Sequence, residues 1–462
     1  MPPLSPVKPE GDSGFRVCRE PNLPIVGLAA AYSTPPPPTM LSTAAATTAL
    51  VGPGAKPTKS WWLDRLPADA LPLALAAPPA TADVVVIGAG MTGCATAYWL
   101  KKLQRDGAKS CVVLDARGVA GGATGRNGGH LWANPESEFE REVTKDVLKF
   151  IEEEGVECDL TNGGAASLVR VAPPSGVKYN DRADTDPEVE SGDEWGDGPT
   201  WDAATCASNL RTEAFAGARV FPEAAQFYPA AVTAAMLRAS GAAYCAPARV
   251  LSIGEAAAGG KRVVTTDVGE IEAGVVVVAT NAWAPELLPE LAGQVSACRN
   301  QVIMTAPTAG AWEGVAALGV DGGARELYAI RRADGRICLG GARAIEPDAA
   351  VGNADDGSLS PEVGAYLRRY LAECFPKMVS EEGGGEVKIE EEWTGVLGFT
   401  PDGRPLCGRV RDGVFVAAGF CGHGMPRCFG AGKAIALMID GRDDEVHAYV
   451  RGDANVARVL KK

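Results

Sequence analysis

An apolar run in this chain is followed at once by a spaced glycine triplet: Asp83-Val-Val-Val-Ile-Gly-Ala-Gly-Met-Thr-Gly93. Val84–Ile87 reads as a buried parallel strand, since a strand covered on both faces shows no polar alternation. Gly88 can make the tight turn, Gly90 lets backbone approach a pyrophosphate, and Gly93 lets the next helix pack close. Ala89, Met91 and Thr92 fill the same turn, whose helix N-terminus offers free N–H groups and a positive dipole end to phosphates. A second strand, Cys111-Val-Val-Leu, ends in Asp115 at the separation where an acid takes the ribose hydroxyls of an adenine dinucleotide, with Ala116 and Arg117 beside it. The order strand, glycines, helix, strand, acid favours a dinucleotide site over a merely glycine-rich strand–helix turn.

That fingerprint leaves NAD and FAD open. A second glycine-rich loop, Gly122-Ala-Thr-Gly-Arg-Asn-Gly-Gly-His130, follows the acid, and an NAD fold has no obvious need for it. Here the chain resembles the D-amino-acid oxidase-like FAD-dependent oxidoreductases, in the branch around gamma-glutamylputrescine oxidase and related fungal proteins. The resemblance implies that this loop runs past the pyrophosphate and under the isoalloxazine ring. Gly122, Ala123, Thr124, Asn127, Gly128 and Gly129 would then form a phosphate-and-flavin wall, with Arg126 and His130 near the ring. A surface salt bridge is the other reading for Arg126. Val250 matches the family's adenine-contacting valine, and Thr280-Asn-Ala-Trp283 its turn back into the dinucleotide fold, with core packing the alternative for Trp283. Glu392–Pro405, including Gly395, resembles the stretch before the family's last strand. Gly419-Phe-Cys-Gly-His-Gly-Met425 then resembles the flavin-facing turn and supplies Phe420, Gly422, His423, Gly424 and Met425. Arg126, His130 and His423 are the catalytic candidates; a structural turn residue is the alternative for His423.

The resemblance implies an α/β fold, α+β overall: a Rossmann-like FAD-binding domain with a mainly antiparallel-sheet substrate domain. The expected division begins with a disordered Pro/Ala-rich extension over 1–58. The FAD-binding domain is then built from three separate segments, 59–155, 221–290 and 389–450. The substrate domain is built from two, 156–220, with an acidic insertion at 173–200, and 291–388. Residues 451–462 are a tail. Trp61 and Trp62 are expected to lie against the domain surface. Individual elements include a helix over Ser137–Glu154, strands across Asp159–Val171, a helix opened by Pro229, alternating strands at Gln301–Thr305 and Glu326–Ile330, and a helix over Pro361–Cys374. Tyr328 and Arg331 are further candidates to face the flavin.

The activity implied is oxidation of a C–N bond: hydride to flavin N5, hydrolysis of the imine, and reoxidation by O2 or another acceptor. Amino-acid-oxidising relatives hold the substrate carboxylate with an arginine before the Pro401-Asp-Gly403 stretch or a lysine after the Gly-His-Gly turn. Trp393–Gly398 contains no arginine, and Arg427 is one position out of register. A small amine is therefore favoured over an amino acid. No cysteine stands near Trp393, so non-covalent FAD is expected, with Cys421 near enough to the ring to be weighed as an attachment point. The alternatives are an NAD-dependent dehydrogenase, an amino-acid oxidase of the same fold, and a flavin-binding protein without oxidase activity.

A net charge of −14 argues against nucleic acid or an anionic membrane as partner. No run of roughly eighteen or more apolar residues suggests a spanning helix. The twelve cysteines show no metal-like spacing and read as small buried residues of an intracellular, cytoplasmic protein. No metal is expected.

Overall fold

The computed structural model describes residues 56–103, 109–170, 199–308, 311–320, 327–381 and 387–460. The proline-rich stretch before Lys56 and nearly all of the acidic insertion lie outside them.

Two large sheets organise the described residues. In the first, Val414–Ala418, Gly269–Val278, Thr81–Ile87, Cys111–Leu114 and Ala243–Cys245 run parallel in that spatial order. Leu406–Arg411 closes one edge antiparallel, and Val250–Ile253 and Arg262–Thr266 form a flap on the long Gly269–Val278 strand. Val84, Val85 and Val86 are fully buried, as both faces of a covered parallel sheet require. The second sheet is antiparallel except where Ala317–Val320 pairs with Ala165–Arg170. Its order is Ile389–Phe399, Ser296–Thr305, Ile337–Gly341, Leu327–Arg331, Ala317–Val320, Ala165–Arg170, Phe215–Phe221 and Thr200–Asp202. The helix Pro361–Cys374 packs on it through Tyr366, Leu367, Tyr370 and Leu371. The fold class expected from the sequence is the one observed.

Small residues set the packing of the first layer. The fingerprint helix Met91–Leu103 packs against Cys428–Ile439 and Pro229–Ser240. A Cβ on Gly432 would stand 2.7 Å from the Thr96 nitrogen, so side chains between these backbones are excluded. Gly93 is tighter still: its Cβ would fall 1.8 Å from the Gly88 carbonyl oxygen. Gly88 has φ +107, a conformation that glycine adopts without strain.

Two local expectations need correction. Asp159–Leu160 is not a strand; Thr161 makes only an isolated bridge to Gln226, and the strand begins at Ala165, after the Gly163-Gly164 turn. Gln301–Thr305 is buried throughout rather than alternating, because Ser296–Thr305 is an interior strand with both faces covered. Trp61 and Trp62 pack against the domain and are covered there: Trp62 is fully buried against Tyr228, with ring centroids 5.4 Å apart.

Gly93→Ala is expected to cost about 3 kcal/mol or more, above the usual range for overpacking because the clash is with backbone. The midpoint of urea unfolding reads this; an unchanged midpoint would contradict the close approach at Gly88.

Candidate active site

A cavity crosses the carboxyl ends of the central parallel strands, lined there by Ile87, Leu114 and Ala279. This is where an open α/β sheet presents turns and helix N-termini to a ligand. Of the residues expected at a dinucleotide, Gly88, Gly90, Met91, Thr92, Asp115, Ala116, Arg117, Gly122, Ala123, Thr124, Asn127, Val250, Thr280, Asn281, Trp283, Phe420, Gly422, Gly424 and Met425 line it. Ala89, Gly93, Arg126, Gly128, Gly129, His130, Gly395 and His423 are not among the lining residues.

Three glycine-bearing turns meet at the cavity and are fastened to one another. Asp115 accepts from the backbone nitrogens of Ala89 (2.8 Å), Arg117 (2.8 Å) and Gly118 (2.8 Å), so the acid that follows the second strand also holds the first turn. Thr124 of the second turn accepts from the Met91 nitrogen at 3.0 Å, joining it to the start of the fingerprint helix. Asn127 accepts from Gly129 at 2.7 Å and donates to Ala123 and Thr124, and its amide stands 3.5 Å from the Met425 sulfur of the third turn. Asn281, at φ +49, accepts from the Gly419 nitrogen at 2.9 Å and anchors the third turn to the return strand.

Arg126 is 3 % exposed, so it is not a surface ion pair. Its guanidinium donates to the carbonyls of Gly121 (3.0 Å), Thr58 (2.9 Å) and Thr394 (2.9 Å) and stands 3.9 Å from Asp356. Burial pushes its pKa down to about 10, against the pull of Asp356. Asp356 also receives Arg117 at 2.7 Å. Gly395 sits directly on Arg126, where a Cβ would approach the arginine Cβ to 2.7 Å. The aromatic segment straps the same loop: Ser60 donates to the Gly125 carbonyl at 2.5 Å and Trp62 to the Asn127 carbonyl at 2.6 Å. On its other side, a Cβ on Gly128 would meet the Tyr328 ring at 2.7 Å. The Tyr328 hydroxyl accepts from Asn300 at 3.2 Å, so this ring backs the second turn.

His423 turns away from the cavity towards Glu140, with Nε2 3.0 Å from the carboxylate. Arg427 donates to the other oxygen of Glu140 at 2.6 Å, and the Asn134 nitrogen donates at 2.8 Å. Burial opposes ionisation of Glu140, yet the charges and hydrogen bonds of His423 and Arg427 hold its pKa down to about 2. His130 stacks on Trp132 at 4.9 Å; burial and then His423 push its pKa down to about 3, so its ring is neutral at ordinary pH. Glu140 has no motif in the sequence to mark it. Its signal is a carboxylate next to Phe139 on the helix Glu138–Glu153, on the same side as the buried Val143 and Val147.

The polar atoms along the cavity suit a nucleotide ligand. Thr280 Oγ1, Trp283 Nε1 and Glu286 Oε1 are buried with no hydrogen-bond partner among the described residues. Gly90 presents bare backbone at the helix N-terminus, where a Cβ would press Thr124 Oγ1 at 3.2 Å. Cys421 lines the third turn at φ +55, and burial raises its pKa, which disfavours the thiolate that a covalent link would need. Eleven cysteines are described, and no disulfide joins any two of them. Among the described residues there is no cluster suited to a metal and no helix long and apolar enough to cross a membrane.

A family model described as FAD dependent oxidoreductase matches residues 83–438. The chain is 25% identical to gamma-glutamylputrescine oxidoreductase of Escherichia coli over 413 residues, covering 80% of this chain and 86% of that protein. Among solved structures it is similar to glycine oxidase from Bacillus cereus, with TM-score 0.64, 17% identity, and 81% and 98% of the two chains covered. It is also similar to L-proline dehydrogenase from P. horikoshii, with TM-score 0.62, 21% identity, and 80% and 96% covered. The structural likenesses show the fold; the family match shows the cofactor class.

Replacing Glu140 leaves Arg427 and His423 without their shared carboxylate. Because its folded pKa of about 2 lies below the ordinary 4.5, its contribution is fully present above pH 4.5 and is lost as pH falls towards 2. Glu140→Gln is expected to lose about 3 kcal/mol at pH 7. The gap from wild type in denaturant unfolding should narrow below about pH 4.5; a gap that does not change with pH would contradict the ionised cluster.

Proposed function

The chain belongs to the DAO family of FAD-dependent oxidoreductases, which act on amines or amino acids, and from this premise we propose that its substrate is a small amine without an α-carboxylate. The observation that carries the proposal is the pairing of Arg427 with Glu140. Arg427 is the cation nearest the position from which amino-acid-oxidising relatives hold a carboxylate. Here it is 6 % exposed, and its Nε donates to an internal acid at 2.6 Å. Withdrawing that arginine to meet a substrate would strand Glu140, a cost of several kcal/mol, about 3–5 by the usual penalty for breaking a buried pair.

FAD, when bound, supplies the two-electron acceptor for the C–H bond beside the amine nitrogen. The chain's own residues bind and orient. Gly88, Gly90 and the start of Met91–Leu103 would receive the pyrophosphate, and Asp115 the ribose. Asn127, Phe420, Gly422 and Met425 would wall the ring end. The first sheet and its helices are the FAD-binding domain in this reading, and the second sheet is the substrate domain. Arg126 and His423 act as positioning residues: one fixes the second turn, the other fixes the third through Glu140. His130, neutral, half-buried and stacked on Trp132 at the end of the second turn, is the group proposed to accept a hydrogen bond near the ring. O2 is the acceptor proposed for turnover.

The test is anaerobic reduction of the purified holoenzyme, followed at the flavin absorbance, with amines each paired to its α-carboxylated counterpart. The free amine should be preferred at least about tenfold in kcat/KM, and admitting air should restore the band with release of peroxide. Preference for the amino acids would overturn the proposal.

A further inference from the structure

Beyond the residues already placed at the dinucleotide lies an acid with an unmet hydrogen-bonding need. Glu286 sits in the short helix Ala284–Leu287, on the cavity wall with Asp115, Ala248, Arg249 and Val250. The Ala248 nitrogen donates to the Asp115 carbonyl at 2.7 Å, so this end of the cavity continues directly from the ribose acid, away from the third turn. Glu286 Oε1 is buried and has no hydrogen-bond partner among the described residues. Its other oxygen stands 3.8 Å from Arg249, too far for a hydrogen bond. Burial lifts its pKa to about 7, with Arg249 opposing. A carboxylate oxygen held like this calls for a donor from the ligand.

The chemistry of an adenine dinucleotide names that donor. With phosphates at Gly88 and Gly90 and ribose at Asp115, the base falls between Val250 and Glu286. The edge of adenine carries one hydrogen-bond donor group, the exocyclic amine; its ring nitrogens are acceptors. We propose that Glu286 reads the base of the cofactor, with Oε1 accepting from the exocyclic amino group of adenine. The residue therefore selects an adenine dinucleotide over one whose base presents a carbonyl there. The proposal rests on the FAD assignment and adds to it a specificity-determining side chain at the end of the cofactor farthest from the chemistry.

The experiment is cofactor exchange in the full-length holoenzyme. Protein is equilibrated with equal, excess concentrations of FAD and flavin hypoxanthine dinucleotide, in which a carbonyl oxygen replaces the amino group. The bound flavins are then separated by chromatography and their ratio read. At a pH above the Glu286 pKa, where the carboxylate is ionised and only accepts, wild type should retain FAD over the analogue by roughly tenfold or more, the value of a hydrogen bond to a charged group. In Glu286→Ala the ratio should fall towards unity. In Glu286→Gln, whose amide can donate to a carbonyl as well as accept from an amine, the ratio should likewise fall towards unity. A preference that survives in Glu286→Ala, or is absent from wild type, overturns the role of Glu286 alone. Wild type that carries and takes up neither flavin would instead count against the FAD assignment.

Discussion

The buried guanidinium of Arg126 is the contact on which the site's assembly depends. It lies in the second glycine turn, yet its partners come from the start of the described chain at Thr58, from Gly121, from Thr394 in the second sheet, and from Asp356. A buried charge is stable only where every donor finds an acceptor. Arg126 therefore forces four segments distant in sequence to converge. That convergence brings Trp62 and Trp393 onto the loop, where both donate to its carbonyls. The turn that walls the cavity is held from behind by side chains that do not line it.

The same division between lining and support runs through the rest of the site. Glu140 does for the third turn what Asp356 does for the second: it neutralises a buried arginine. Asn281 and Thr124 provide the neutral links. The consequence is a cradle whose turns are tied to one another through side chains, as suits a site where a cofactor must be oriented rather than merely held. The tight glycine contacts at Gly88, Gly93 and Gly432 act at the level beneath, setting how near the helices come to the sheet.

Much of this is legible in the sequence because it is local. The strand–glycine–helix–strand–acid series lies within one continuous stretch, and the turns around Asn127 and Gly422 are likewise continuous motifs. Pro361–Cys374 carries clear spacing and has the expected bounds. What cannot be read are pairings across the chain. Arg126 can be picked out, but its partner Asp356 is separated from it by most of the second sheet. Glu140 looks like one of many acids on an amphipathic helix, since periodicity places a residue on a face without naming what it meets. Gln301–Thr305 misleads because sheet position, not composition, decides whether a strand is covered on both faces. Glu286 has no motif at all; only its orphaned oxygen at the cavity marks it.

The claim most open to direct test is that Arg126 holds the second turn in place and has no role at the reacting atoms. The measurement is a comparison of Arg126→Met with wild type in three readouts: urea midpoint, FAD dissociation constant, and the pH profile of flavin reduction per bound flavin. If Arg126 only holds the turn, stability and FAD affinity fall together while the shape of the pH profile of the bound fraction is unchanged. Full stability and full flavin binding, with reduction lost or its pH profile altered, would contradict it and place Arg126 at the chemistry.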